Sequence, residues 1–174
     1  LETLPPIRAV NALMPFLASA DPAVQCRAVS AIGAATEKLA DSDLESARVV
    51  MRRLMWSLFE ESGAIGWGAP EAMGEVMARH DGLAKEFTKI LVSYTREDGN
   101  FLEHEPLQRG VLWGIGRVAQ VRPEYLLEFE TDDSVQPYLD SPDSAVRGLA
   151  VWVCGLLRIQ EARKRLESLR SDSS

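Results

Sequence analysis

One set of side chains has the types and spacing that could do chemistry. Trp67, Glu71 and Glu75 recur at intervals of four, as do Arg109, Trp113 and Arg117, so each trio shares one helical face. His104 lies just ahead of the second trio. Tryptophan and arginine offer large contact area and directional donors, which is why they dominate binding hot spots. Glu71, Glu75, His104 and Cys26 could instead supply a mixed oxygen and nitrogen metal site. A plainer account is that acid from one trio faces base from the other, giving interhelix ion pairs bracketed by packing tryptophans. The two histidines, His80 and His104, stand at unrelated places, and no Ser/His/Asp or Cys/His arrangement emerges.

The elements that must position these residues follow from an internal repeat. Four segments align without gaps when Gly33, Gly74, Gly116 and Gly155 are superposed, at a period of about 40 residues. Val24, Ile65, Leu107 and Val146 open the segments, and Ile32, Met73, Ile115 and Cys154 precede the glycines. The candidate stripe runs seven before, three before and one after each glycine. In the outer repeats it reads Cys26, Ser30, Ala34 and Gly148, Trp152, Leu156, which are bland or apolar. The upstream pair Met14-Pro15-Phe16-Leu17 and Gln136-Pro137-Tyr138-Leu139 shares the offset between Gly33 and Gly155.

Each unit therefore reads as a first helix, a turn and a second helix. First helices are predicted near 7–18, 43–60, 82–95 and 124–140, and second helices near 22–38, 69–80, 105–121 and 143–158. Asp21-Pro22 and Ser141-Pro142 look like caps followed by a first-turn proline. Pro15 and Pro137 are expected to kink or restart their helices. Trp56 and Trp152 are expected in the core, and His80 near a helix C-terminus. The glycine-rich stretch Ser62 to Pro70 and the long loop Thr95 to Glu105 are expected along one rim, framing the patch. No Gly-Lys-Ser/Thr follows the glycines, so they do not form a phosphate-binding loop.

The residues Asp21-Pro22-Ala23-Val24 through Gly33, and Pro142-Asp143-Ser144-Ala145-Val146-Arg147 through Gly155, resemble the HEAT-like repeats of bacteria, the class named after phycobilin lyases. The resemblance implies an all-α, right-handed α-α superhelix of about four helix pairs with a C-terminal capping helix. It implies one domain over residues 1–174, with repeats at about 7–40, 41–81, 82–121 and 122–158 and the cap at 159–170. It also implies that second helices line the concave, binding surface. An arginine after the opening valine commonly pairs with a neighbouring unit's aspartate in such repeats. Arg147 matches that position, while Gln25, Gly66 and Gln108 replace it elsewhere. His104-Glu105 is similar to the His-Glu pairs with which a HEAT-like hydroxylase family holds two irons, but that family uses several pairs and this chain has one.

Composition sets the remaining bounds. The 174 residues are 46% hydrophobic and 26% charged, which suits a packed core and excludes an intrinsically disordered chain. A net charge of −7 argues against a nucleic-acid or anionic-membrane binder. No long apolar run or leader pattern is visible. Cys26 and Cys154 are far apart and read as reduced thiols of a cytoplasmic protein. The expected function is a scaffold that binds a protein segment on the concave face of repeats 2 and 3, through Trp67, Glu71, Glu75, His104, Arg109, Trp113 and Arg117. No metal or cofactor is expected on that reading. The alternative is a small lyase- or hydroxylase-like enzyme, or a metal or cofactor protein, using the same patch.

Overall fold

A computed structural model describes residues 4–59, 66–129, 131–163, 165 and 167. Among these residues there is no strand, and nine α-helices run in chain order: α1 (Pro6–Leu13), α2 (Pro22–Ser42), α3 (Leu44–Ser57), α4 (Ala69–Arg79), α5 (Asp81–Ser93), α6 (Glu105–Val121), α7 (Pro123–Leu127), α8 (Thr131–Val135) and α9 (Ser144–Leu157). The chain is an all-α repeat solenoid. Helices α2, α4, α6 and α9 lie side by side as one layer, each packed on the next. Helices α1, α3, α5 and α7 form the second layer against them. Among the described residues no helix is long and apolar enough to cross a membrane.

Local chemistry explains the helix starts. Asp21 and Asp143 accept the Ala23 and Val146 N–H groups at 2.9 and 3.0 Å, and Asp43 accepts that of Ser46 at 3.1 Å. Each satisfies a first-turn donor that would otherwise lack a partner. The cap of α9 is therefore Asp143, two residues beyond the predicted Ser141. His80 closes α4 and also opens α5, where its Nδ1 accepts the Leu83 N–H at 3.2 Å. Gly68, at φ +74°, turns the chain into α4 in a conformation that side chains rarely adopt.

Both expected proline interruptions are present, as 3-10 turns at Met14–Ala18 and Gln136–Asp140. The first helix of the last unit, expected over 124–140, is divided into α7, α8 and the second of these turns. Thr131 Oγ1 donates to the Leu126 carbonyl at 2.6 Å and Ser134 Oγ to that of Thr131 at 3.0 Å, fastening the break. The run Thr131-Asp132-Asp133-Ser134 carries residues that favour helix starts over interiors. Of the predicted cap, Ile159 and Ala162 are buried against the array. Lys164, Leu166 and residues 168–170 lie outside the described residues, as do Ser62, Gly63, Ala64 and Ile65 of the glycine-rich stretch.

Three of the four repeat glycines, Gly33, Gly74 and Gly116, mark where neighbouring helices meet. A Cβ on Gly74 would collide with the backbone of Gly114 in α6, 2.7 Å from its carbonyl oxygen. One on Gly116 would enter the Trp152 ring, and one on Gly33 would lie 2.5 Å from Glu75 Cγ. Trp152, expected in the core, is packed on α6 but only half-buried. Trp56, expected in the core, is 69% exposed: it lies on the solvent side of α3, whereas Val50, Met51 and Leu54 face inward.

Candidate binding site on the open face of the second-helix layer

Helix α4 is covered by α2, α6 and the second layer, so only a narrow line of it remains open. Glu71 and Arg79 lie on that line, with Trp67 just before the helix and Glu75 beneath. On α6 the matching line is Arg109, Trp113 and Arg117. On the predicted stripe every residue of α2, α6 and α9 is exposed or half-buried. The register of the stripe therefore follows the solvent side of the layer.

Glu75 departs from its neighbours. It is 4% exposed and spans two arginines, accepting from Arg79 Nε and Arg117 Nε at 2.6 Å each. Arg79 Nη1 also reaches Glu37 on α2 at 3.3 Å. One buried carboxylate thus ties α2, α4 and α6 together and fixes two guanidinium groups at the surface, which is the ion-pair account of this acid and base. Arg79 and Glu37 were not among the predicted residues. The spacing of Glu75 and Arg79, four apart on one helix, was the available signal.

Glu71 has no such pairing. Its Oε2 is buried and has no hydrogen-bond partner, and the carboxyl rests on Gly110, where a Cβ would lie 2.5 Å from it. Desolvation pushes this carboxyl up to about 7. Arg109, one of the bases of the other trio, turns away to Asp143, with Nε 3.1 Å from Oδ2. That pair holds Asp143 below, and Arg109 above, their ordinary values. Asp143 thus bridges α6 to the N-terminus of α9. Arg147, at the position of the expected ladder, donates to the carbonyls of Ser141 and Pro142 at 2.9 and 3.1 Å.

Glu71, Arg109 and Trp113 line one pocket of about 210 Å³, together with Pro22, Gln25, Cys26, Val29 and Leu149. Gln25 Nε2 donates to the Leu17 carbonyl at 2.8 Å, fixing that wall. Trp67 and His104 form a ring contact at 6.4 Å, which joins the start of α4 to the start of α6. The loop before His104 is tied down: Leu102 N–H donates to Tyr94 O at 3.1 Å, and Tyr138 OH to Thr95 O at 3.2 Å. A larger cavity of about 590 Å³ opens beside this loop, near Phe101 and Pro137. Of its polar groups, Tyr138, Gln108 and Asp98 have partners, while the carboxylates of Glu97 and Asp133 are exposed to water. Among the described residues, the buried carboxylate oxygen without a partner is in the smaller pocket.

Among the described residues no three His, Cys, Asp or Glu side chains gather as metal ligands would. His104 touches Trp67 and lies apart from the Glu75 cluster. Both cysteines are free; Cys26 is exposed and Cys154 buried, its thiol pushed up to about 11 by desolvation and then by Asp132.

The architecture defines a class, the all-α repeat solenoids. No protein family matches the chain, and no curated protein matches it in sequence. Among solved structures it is similar to a designed armadillo repeat protein in complex with the peptide (KR)4. That pair is 18% identical with a TM-score of 0.62, covering 96% of this chain and 76% of the other. A structure of computationally designed armadillo repeat proteins for modular peptide recognition is 19% identical at TM-score 0.62, with the same coverage. An engineered protein is 18% identical at TM-score 0.58, covering 91% of this chain and 67% of that one. Likeness at these identities concerns the fold alone.

Proposed function

We propose that this chain is a protein-interaction scaffold holding a partner's extended segment along the concave face formed by α2, α4, α6 and α9. The observation that carries the reading is the continuity of open surface and pocket. Trp67, Glu71, Arg109 and Trp113 lie on the solvent side of adjacent helices, and three of them line one cavity. Glu75 acts from below, setting the positions of Arg79 and Arg117, while His104 backs Trp67 at the rim. Rigid tryptophans beside fixed guanidinium groups supply hot-spot chemistry at low ordering cost. The neighbour bound to (KR)4 and the designs for peptide recognition are in keeping with this use of the fold. A single domain over 1–174, divided near residues 40, 81, 121 and 158, suits such an array. The free thiols and the resemblance to bacterial HEAT-like repeats support a bacterial, cytoplasmic setting.

The test is capture of partners from native lysate, comparing wild type with Trp67→Ala/Trp113→Ala. Circular dichroism first establishes that the variant is folded. Proteins retained by wild type alone, identified by mass spectrometry, are the expected result. Equal capture by both removes the concave-face reading.

A further inference from the structure

The pocket between α2, α4 and α6 leaves one polar group unsatisfied. Glu71 lines it, and Oε2 of that carboxyl is buried without a partner against Gly110. Folds avoid burying an unpaired carboxylate, because its lost hydration is not replaced. The rest of the lining suits a cation on an apolar stem. Trp113 offers an indole, whose face attracts cations. Pro22, Val29 and Leu149 are apolar. Arg109, the cation in the lining, is committed to Asp143, and Gln25 donates to Leu17, so neither answers Glu71.

We propose that this pocket takes the alkylammonium end of a lysine side chain, with Glu71 as counter-charge and Trp113 as the cation–π surface. The proposal rests on the concave-face reading and names what the bound segment presents there. The net charge of −7 favours a cationic partner at long range. Lysine fits better than arginine. One carboxylate oxygen lacks a partner, and an ammonium needs only one acceptor, whereas a guanidinium fork is best answered by two.

Binding a cation requires the ionised carboxylate, so it is coupled to pH. The groups facing Glu71 in the pocket are the Cys26 thiol and Gln25 amide from α2, Arg109 and Trp113 from α6, and apolar Leu149 from α9. With the carboxyl raised to about 7, its ionised fraction is roughly tenfold larger at pH 8 than at pH 6.

The experiment titrates n-butylammonium chloride into the protein and follows the Trp113 indole N–H by ¹H–¹⁵N NMR, with 1-butanol as the neutral comparison. A saturable shift at pH 8, roughly tenfold weaker at pH 6 and lost in Glu71→Gln at both pH values, is expected. Equal affinity for 1-butanol, no change with pH, an unaltered Glu71→Gln, or no saturable shift at pH 8 each overturns the proposal. Partner capture separates this proposal from the one it rests on. If Trp67→Ala/Trp113→Ala loses the partner and Glu71→Gln keeps it, only the lysine pocket fails. If neither loses it, the concave-face reading fails as well.

Discussion

The repeat glycines allow one substitution to be made twice with opposite results. Gly74 lies where α4 and α6 approach so closely that a Cβ would strike the backbone of Gly114. Backbone cannot rotate aside as a side chain can, so Gly74→Ala must push two helices apart. Overpacking of this kind costs about 1–3 kcal/mol, and backbone contact belongs at the upper end, more than cancelling the helix propensity that alanine adds. Gly155 occupies the equivalent position in α9, yet among the described residues nothing lies within 4 Å of a Cβ built there. There alanine keeps only its advantage in helix propensity and unfolded-chain entropy, about 0.5–1 kcal/mol. In a domain of this size 1 kcal/mol moves the melting temperature by about 3 °C. Gly74→Ala should therefore melt roughly 6 °C lower, and Gly155→Ala about 2 °C higher. Urea titration at constant slope gives the same comparison in free energy. If Gly74→Ala melts with the wild type, or Gly155→Ala melts below it, the helix packing described for the repeat glycines is wrong.

Other perturbations have equally definite outcomes. Glu71 is raised from 4.5 to about 7 by burial, so the unfolded chain ionises first as pH rises. The fold loses stability across that window, reaching about 3 kcal/mol above pH 7. Glu71→Gln should accordingly gain up to that much over wild type at pH 8 and almost nothing at pH 4; a difference independent of pH would refute the burial argument. Glu75→Ala should cost about 1–3 kcal/mol by urea unfolding, because Arg79 and Arg117 lose their shared partner but can partly rehydrate, with Glu75→Gln between. Trp56→Ala should lie within about 0.5 kcal/mol of wild type, whereas Trp152→Ala, which empties the contact on Gly116, should cost about 2–3 kcal/mol. Equal losses at the two tryptophans would contradict their assigned environments.

The architecture was legible in the sequence because it is written in local spacing. Apolar residues four apart and a glycine every 40 or so residues are properties of one helix and its register, and both survive without knowledge of neighbours. Capping chemistry is local too, so Asp21-Pro22 marked its helix start correctly. Where local signals competed, the reading slipped. The last unit's first helix broke at Thr131 because helix-start residues there outweighed the apolar pattern. Trp56 was placed in the core because tryptophan is usually buried, yet which side of α3 faces the layers depends on both neighbouring helices.

The site divides along the same line. Its residues could be named from one-dimensional spacing, since a stripe at intervals of four must share a face. Their partners could not, because pairing across helices depends on the offset at which α4 meets α6. That offset is set by the close approach of Gly74 and Gly114. It brings Glu75 to Arg117, leaves Glu71 over Gly110, and turns Arg109 toward Asp143. The same two acids, read from the sequence as equivalent, thus become a satisfied strut and an unsatisfied pocket wall. Spacing along a helix decides what can point outward; only the distance between helices decides which charges are cancelled before a partner arrives.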